Sequence, residues 1–134
     1  MNPFDLIIYP ALFLFIFVSS LFWHELCHII GTGRLWGTID VTGFSMQASP
    51  ANLWVGGLGA GLVFSIAGGL IWAIGTHALG YLFIICGAVN LCYFPFEALF
   101  LPQWGNNWEY KLGRYTIYVG VTCTMVLLWV AFLQ

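Results

Sequence analysis

The chain has 134 residues, of which 61% are hydrophobic and only 6% charged, with a formal net charge of −2. An ordinary soluble domain carries about 25% charged residues, so this composition reads as an integral membrane protein. The chain has no Lys/Arg-rich tract, which excludes nucleic acid as a partner.

The length accommodates four membrane spans of about 20 residues with short connections, in a single membrane domain over residues 1–134. The expected fold class is an all-α integral membrane protein with about four transmembrane helices and a short β-hairpin-like segment after the first. Its partners would then be the lipid bilayer and other membrane proteins.

The first span is expected over about residues 6–30. Residues 6–23 contain no charge, and Pro10 near the start is tolerable in an early turn. A basic stretch ahead of the apolar run is missing, so the segment reads as a span and not as a cleaved leader. Near its carboxyl end stands His24-Glu25-Leu26-Cys27-His28, a match to H-E-x-x-H. Residues four apart share one helix face, so His24 and His28 can hold one metal ion together. Glu25 lies beside them, where a carboxylate can take a proton from water. Ionisable groups inside a span are costly, and a functional role is the default expectation. The four cysteines, Cys27, Cys86, Cys92 and Cys123, form no C-x-x-C pair and read as small buried hydrophobes.

Residues 31–50 change character. Gly31 and Gly33 end the helix. Ile39 and Val41 then alternate with Thr38, Asp40 and Thr42, and Met46 alternates with Ser45 and Gln47. This pattern predicts two short strands with a turn at Gly43, over residues 38–47. Such a hairpin either covers the membrane interface or holds an extended peptide along its edge by β-augmentation.

Ser49-Pro50 reads as a helix start, and a second span is expected over about residues 53–74. Gly57, Gly61, Ser65, Gly69 and Ala73 recur every four residues and form a nearly smooth face. It can pack span one or span three, or dock a second copy or a regulatory membrane partner. His77 follows in a turn at the opposite surface from the motif, which excludes it as a ligand.

A third span is expected over about residues 78–101. It runs parallel to the first, so its carboxyl end returns to the motif, and Glu97 reaches a depth similar to that of His24. Pro95 can break the helix just before Glu97 and turn the acid inwards. Asn90 lies two turns earlier on roughly the same face. The loop that follows carries Trp104, Trp108 and Tyr110, which join Trp23 and Trp36 in an aromatic belt. A fourth, structural span is expected over about residues 115–133. Arg34, Lys111 and Arg114 all fall on the motif side. The positive-inside rule therefore puts the motif towards the cytoplasm and both termini outside.

Two His and one carboxylate, with a position left for water, make a hydrolytic zinc site. The expected metal ligands are His24, His28 and Glu97, with Asn107 or Glu109 as substitutes for the third. The expected catalytic residues are Glu25, relaying a proton, and Asn90, donating a hydrogen bond to a developing oxyanion.

H-E-x-x-H in a span, then a glycine-rich span, then a span with Asn90, Pro95 and Glu97 resembles the site-2 protease family of intramembrane metalloproteases. The resemblance covers about residues 6–101, and its specific part is His24, Glu25 and His28. It implies that the two His bind zinc, that Glu25 activates water, that a strand segment follows the first catalytic helix, and that the site faces the cytoplasm. The substrate would be a membrane protein cut in or near a transmembrane segment. The chain departs from the family at the third ligand: Glu97 stands one position early for the family's Asp, and no Asp-Gly follows. Two other readings are a catalytically degenerate scaffold that binds membrane clients, and a structural subunit of a membrane complex.

Overall fold

Helix α1 spans Asp5–Ile30 in the computed structural model, which describes residues 2–42, 45–100 and 119–120. Asp5 sits in its first turn, where a carboxylate suits the positive end of the helix, and accepts the Asn2 N–H at 3.0 Å. The helix stops where expected. The Gly31 N–H closes on the Cys27 carbonyl at 2.9 Å, and Gly33 turns the chain away with a φ of +79°, a conformation that glycine adopts without strain.

One face of α1 is buried along its length. Phe13, Ile16 and Phe17 come first, then Ser20, His24 and His28. Steps of three and four residues keep these on one stripe. The face that supplies apolar core at one end therefore supplies polar groups at the other.

Strands β1 (Thr38–Thr42) and β2 (Ser45–Ser49) pair antiparallel, with Thr38 opposite Ser49 and Asp40 opposite Gln47. The hairpin is the expected one, but its second strand continues past residue 47. The turn at Gly43 lies outside the described residues. Ser49 and Pro50 do not start a helix as expected, because Ser49 is held in β2. Asn52 shapes the lead-in instead. Its N–H donates to the His28 carbonyl at 3.1 Å, and its Oδ1 accepts the Trp54 N–H at 3.1 Å. That side-chain turn delays helix α2, which spans Gly56–Ala73.

A turn at Gly75, with a φ of +97°, leads into α3 at His77–Pro95. The span expected to residue 101, with a break before Glu97, changes at Pro95 into a π-helical turn over Phe96–Phe100. Pro95 has no N–H for the carbonyl one turn back, and its ring crowds that carbonyl, so the helix widens there.

Helices α2 and α3 pack through glycines. A Cβ at Gly57 would meet the Asn90 carbonyl at 2.8 Å, and one at Gly68 would meet Ile84 N at 2.7 Å and the Gly80 carbonyl at 2.8 Å. A Cβ at Gly61 would meet Leu91, and Ser65 lies against Gly87. The smooth face of span two thus serves span three. Gly69 is not part of it, with nothing within 4 Å of an added Cβ. A helix turns about 100° per residue, so a strict four-residue repeat drifts, and after three repeats Gly68 has taken the place in line with Gly57.

Phe13, Ile16 and Phe17 of α1, Phe64 of α2, and Leu82 and Cys86 of α3 form the core. Among the described residues, three helices are long and apolar enough to cross a membrane. Their outer faces are apolar as well, with Phe15 70% and Ile66 62% exposed, the pattern of surfaces that meet lipid rather than water. Of the fourth expected span, only Val119 and Gly120 are described; they are helical, and Gly120 lies against the Phe13 ring. The rest of that span, and the loop with Trp104, Asn107, Trp108, Glu109, Tyr110, Lys111 and Arg114, lie outside the described residues.

Candidate metal centre

The polar end of the α1 stripe meets the π-helical turn after α3. Glu97, 1% exposed, is inserted between the two imidazoles. His28 Nε2 is 2.9 Å from Glu97 Oε1, and His24 Nε2 is 2.9 Å from Oε2 and 3.1 Å from Oε1. The rings of His24 and His28 stand edge to face with centroids 4.7 Å apart. Their Nε2 atoms and the carboxylate converge on one point.

The other ring nitrogens fix the tautomers. His28 Nδ1 lies 2.7 Å from the backbone carbonyl of Asn52. A carbonyl only accepts, so Nδ1 carries the hydrogen and the neutral ring has its lone pair on Nε2. His24 Nδ1 lies 2.9 Å from Asn90 Oδ1. Asn90 Nδ2 donates to the Cys86 carbonyl at 2.8 Å, which orients the amide with its oxygen towards His24. His24 Nε2 is therefore also a lone pair.

With both rings neutral, two imidazole lone pairs and a carboxylate face one another in a buried space. In that state acceptors face acceptors, and Glu97 Oε2, 2.9 Å from His24 Nε2, has no hydrogen-bond partner. Such a set calls for a cation. An ion with ligands at about 2.0–2.2 Å needs them about 3.3–3.6 Å apart, a few tenths of an ångström wider than the His–Glu97 pairs at 2.9–3.1 Å. The donor set and the orphaned oxygen fit a metal ion.

Glu25 is the second carboxylate. One ligand atom each from His24, Glu25 and His28 lie within 4.8 Å of one another, and this cluster is itself able to hold a metal. Its Oε2 accepts the Ala48 N–H of β2 at 2.8 Å, whereas Glu97 contacts both Nε2 atoms directly. Glu97 thus touches both imidazoles, and Glu25 is held by the hairpin edge.

Expectation and structure can now be compared residue by residue. His24, Glu25, His28 and Glu97 come together. Glu97 is carried by the π-helical turn. Asn90 is present, but as a partner of His24. Its amide hydrogens go to the Cys86 carbonyl and to Ser20 Oγ at 3.2 Å, which leaves neither for the oxyanion it was expected to meet. Asn107 and Glu109 lie outside the described residues. His77, expected to play no part, lies against Trp72 at the other end of the helices, the two rings tilted by 57°.

The sequence reading missed Ser20, Asn52, Ala48 and Gly56. Ser20 stands one turn before His24 on the His24/His28 stripe, and that spacing was a usable signal. Asn52 and Ala48 act through backbone atoms, which leave no mark on residue type. Gly56 lies against the His28 imidazole, where an added Cβ would collide with the ring. Tyr93 sets its ring edge to face with His24 at 5.7 Å. Comparison with family models, curated proteins and solved structures found no match.

Proposed function

We propose that this protein is a zinc-dependent intramembrane endopeptidase of the site-2 type, which hydrolyses a peptide bond in or near a transmembrane segment of a membrane protein. The observation that carries this reading is the convergence of His24 Nε2, His28 Nε2 and the Glu97 carboxylate, with Glu25 alongside.

When bound, zinc supplies a Lewis acid for the scissile carbonyl and brings the pKa of water down to about 7. His24, His28 and Glu97 would hold it and leave a fourth position for water or substrate. Glu25 takes the proton from the attacking water and passes it to the leaving amine. The Ala48 N–H fixes one oxygen of Glu25 and leaves the other for this transfer. A helical substrate shields its peptide bonds, so the segment must unwind. Strand β2 borders Glu25, and an extended peptide lying along it would run past the centre. The site would open towards the cytoplasm.

The test joins metal content to cleavage. Wild type, purified in detergent, is expected to hold about one zinc per chain, and Glu97→Gln to lose it, since the amide keeps the shape and removes the charge. Glu25→Gln should keep the metal. In cells, new peptide termini inside apolar segments of the membrane proteome are expected with wild type and not with Glu25→Gln. The same termini in that variant would sink the reading. Membrane clients that associate equally well with both proteins, with no cleavage by either, would favour a scaffold.

A further inference from the structure

Ser20 and Asn90 offer no ligand to the centre, yet they are 0% and 2% exposed and joined to it by a directed chain of hydrogen bonds. Ser20 Oγ donates to the Phe17 carbonyl at 2.7 Å and accepts from Asn90 Nδ2 at 3.2 Å. The second amide hydrogen goes to the Cys86 carbonyl at 2.8 Å, and Asn90 Oδ1 faces His24 Nδ1 at 2.9 Å. Both carbonyls can only accept. With those ends fixed, the hydroxyl and the amide have one arrangement that satisfies them, and it requires a hydrogen on His24 Nδ1.

We propose that Ser20 and Asn90 are a positioning relay, which holds His24 with its lone pair on Nε2 and so sets how tightly the centre binds metal. The affinity half of this proposal rests on the metal-centre reading; the tautomer half does not. Groups that fix the far nitrogen of a ligating histidine commonly contribute 10- to 100-fold to metal affinity.

The relay is specific to one histidine. His28 is fixed by a backbone carbonyl that no side-chain substitution removes. His24 depends on a side chain of α3, the helix whose π-helical extension also carries Glu97. Asn90 and Glu97 are seven residues apart, about two turns, and contact opposite nitrogens of one imidazole. Helix α3 thus grips His24 from both sides, so its register against α1 sets ring orientation and ligand position together. Ser20 anchors that register from within α1.

The experiment uses the full chain in detergent micelles, labelled with 15N at histidine, with the His24 signal assigned by its loss in His24→Gln. In metal-free wild type, at a pH where the ring is neutral, His24 is expected as the Nδ1–H form alone. Asn90→Leu is expected to give a mixture of tautomers and to weaken zinc binding, read by chelator competition, by about 10- to 100-fold. Asn90→Asp keeps an acceptor at the same place and should restore the single tautomer. Ser20→Ala changes little volume, removes the anchor, and should weaken binding by a smaller factor in the same direction.

The proposal is overturned by a wild-type His24 that carries its hydrogen on Nε2. It is equally overturned if Asn90→Leu and Ser20→Ala both keep the wild-type tautomer and affinity. If Asn90→Leu fails to fold, Ser20→Ala decides. A wild type with the Nδ1–H form but no zinc uptake overturns the metal-centre reading and the affinity half, while the relay of hydrogen bonds stands.

Discussion

Gly56 shows how closely the centre is built around its histidines. Its Cα lies against the His28 ring, and a Cβ there would collide with imidazole atoms. The ring cannot retreat freely, because its Nδ1 is held by the Asn52 carbonyl and its helix ends against the same residue. Gly56→Ala must therefore displace His28 or push the start of α2 away. Overpacking of this kind costs about 1–3 kcal/mol. The expected outcome is a folded protein that has lost most of its metal, read by metal analysis beside Gly69→Ala, which meets open space. Unchanged metal content in Gly56→Ala would show that His28 does not depend on this contact. At this scale the sequence disclosed the residues whose side chains meet at the centre. His24 and His28 are four apart on one helix, and Glu97 is an acid in an apolar setting at matching depth. It did not disclose the residues that hold them. Ser20 left only its spacing to His24 as a signal, and a backbone carbonyl such as that of Asn52 is the same in every sequence.

Two neighbouring glycines separate packing from propensity at the scale of the helices. Gly68 faces backbone atoms of α3, with Ile84 N at 2.7 Å from an added Cβ and the Gly80 carbonyl at 2.8 Å. Neither can move without parting the helices. Gly69, one residue on, faces nothing within 4 Å. Alanine within a helix is favoured over glycine by about 0.5–1 kcal/mol, because it has less backbone freedom to lose. Gly68→Ala is thus expected to destabilise the protein, and Gly69→Ala to leave it unchanged or slightly more stable, measured as thermal unfolding in one detergent. Equal effects would mean that α2 and α3 do not meet through Gly68. The sequence revealed the glycine face but placed Gly69 on it, because a count of fours ignores the drift of a 3.6-residue turn. The start of α2 was misread for a different reason. Ser49-Pro50 is a sound local signal, but pairing with Thr38 keeps Ser49 in β2, and tertiary structure outweighs local preference there. The π-helical turn had a visible cause in Pro95, but the cause does not reveal how the helix yields.

The relative direction of the helices follows from which residues meet. Phe13 and Phe17 share a core with Leu82 and Cys86, Ser20 meets Asn90, and His24 meets Glu97. Residue numbers rise together, so α1 and α3 run parallel and the site lies near the carboxyl end of both. His24 is six residues from the end of α1, about 9 Å along the axis, so the site lies towards one end of the helices. Which surface that is depends on the basic residues. Arg34 follows α1 directly at the site end, and Asp5 stands at the other. Lysine and arginine are retained on the cytoplasmic side during insertion, whereas acidic residues have little influence. The site end is therefore expected inside and the amino terminus outside. Replacing the four native cysteines with serine allows single cysteines to report each end. Asn2→Cys should react with a membrane-impermeant maleimide in intact cells. Leu35→Cys, at a position 83% exposed beyond the site end of α1, should react only after permeabilisation. The reverse pattern would place the centre on the outer side, overturning the charge-based orientation while leaving the His24–His28–Glu97 geometry intact. Labelling of both positions from both sides would mean a mixed population, as a chain oriented by only three basic residues would give if that bias were too weak to fix its insertion.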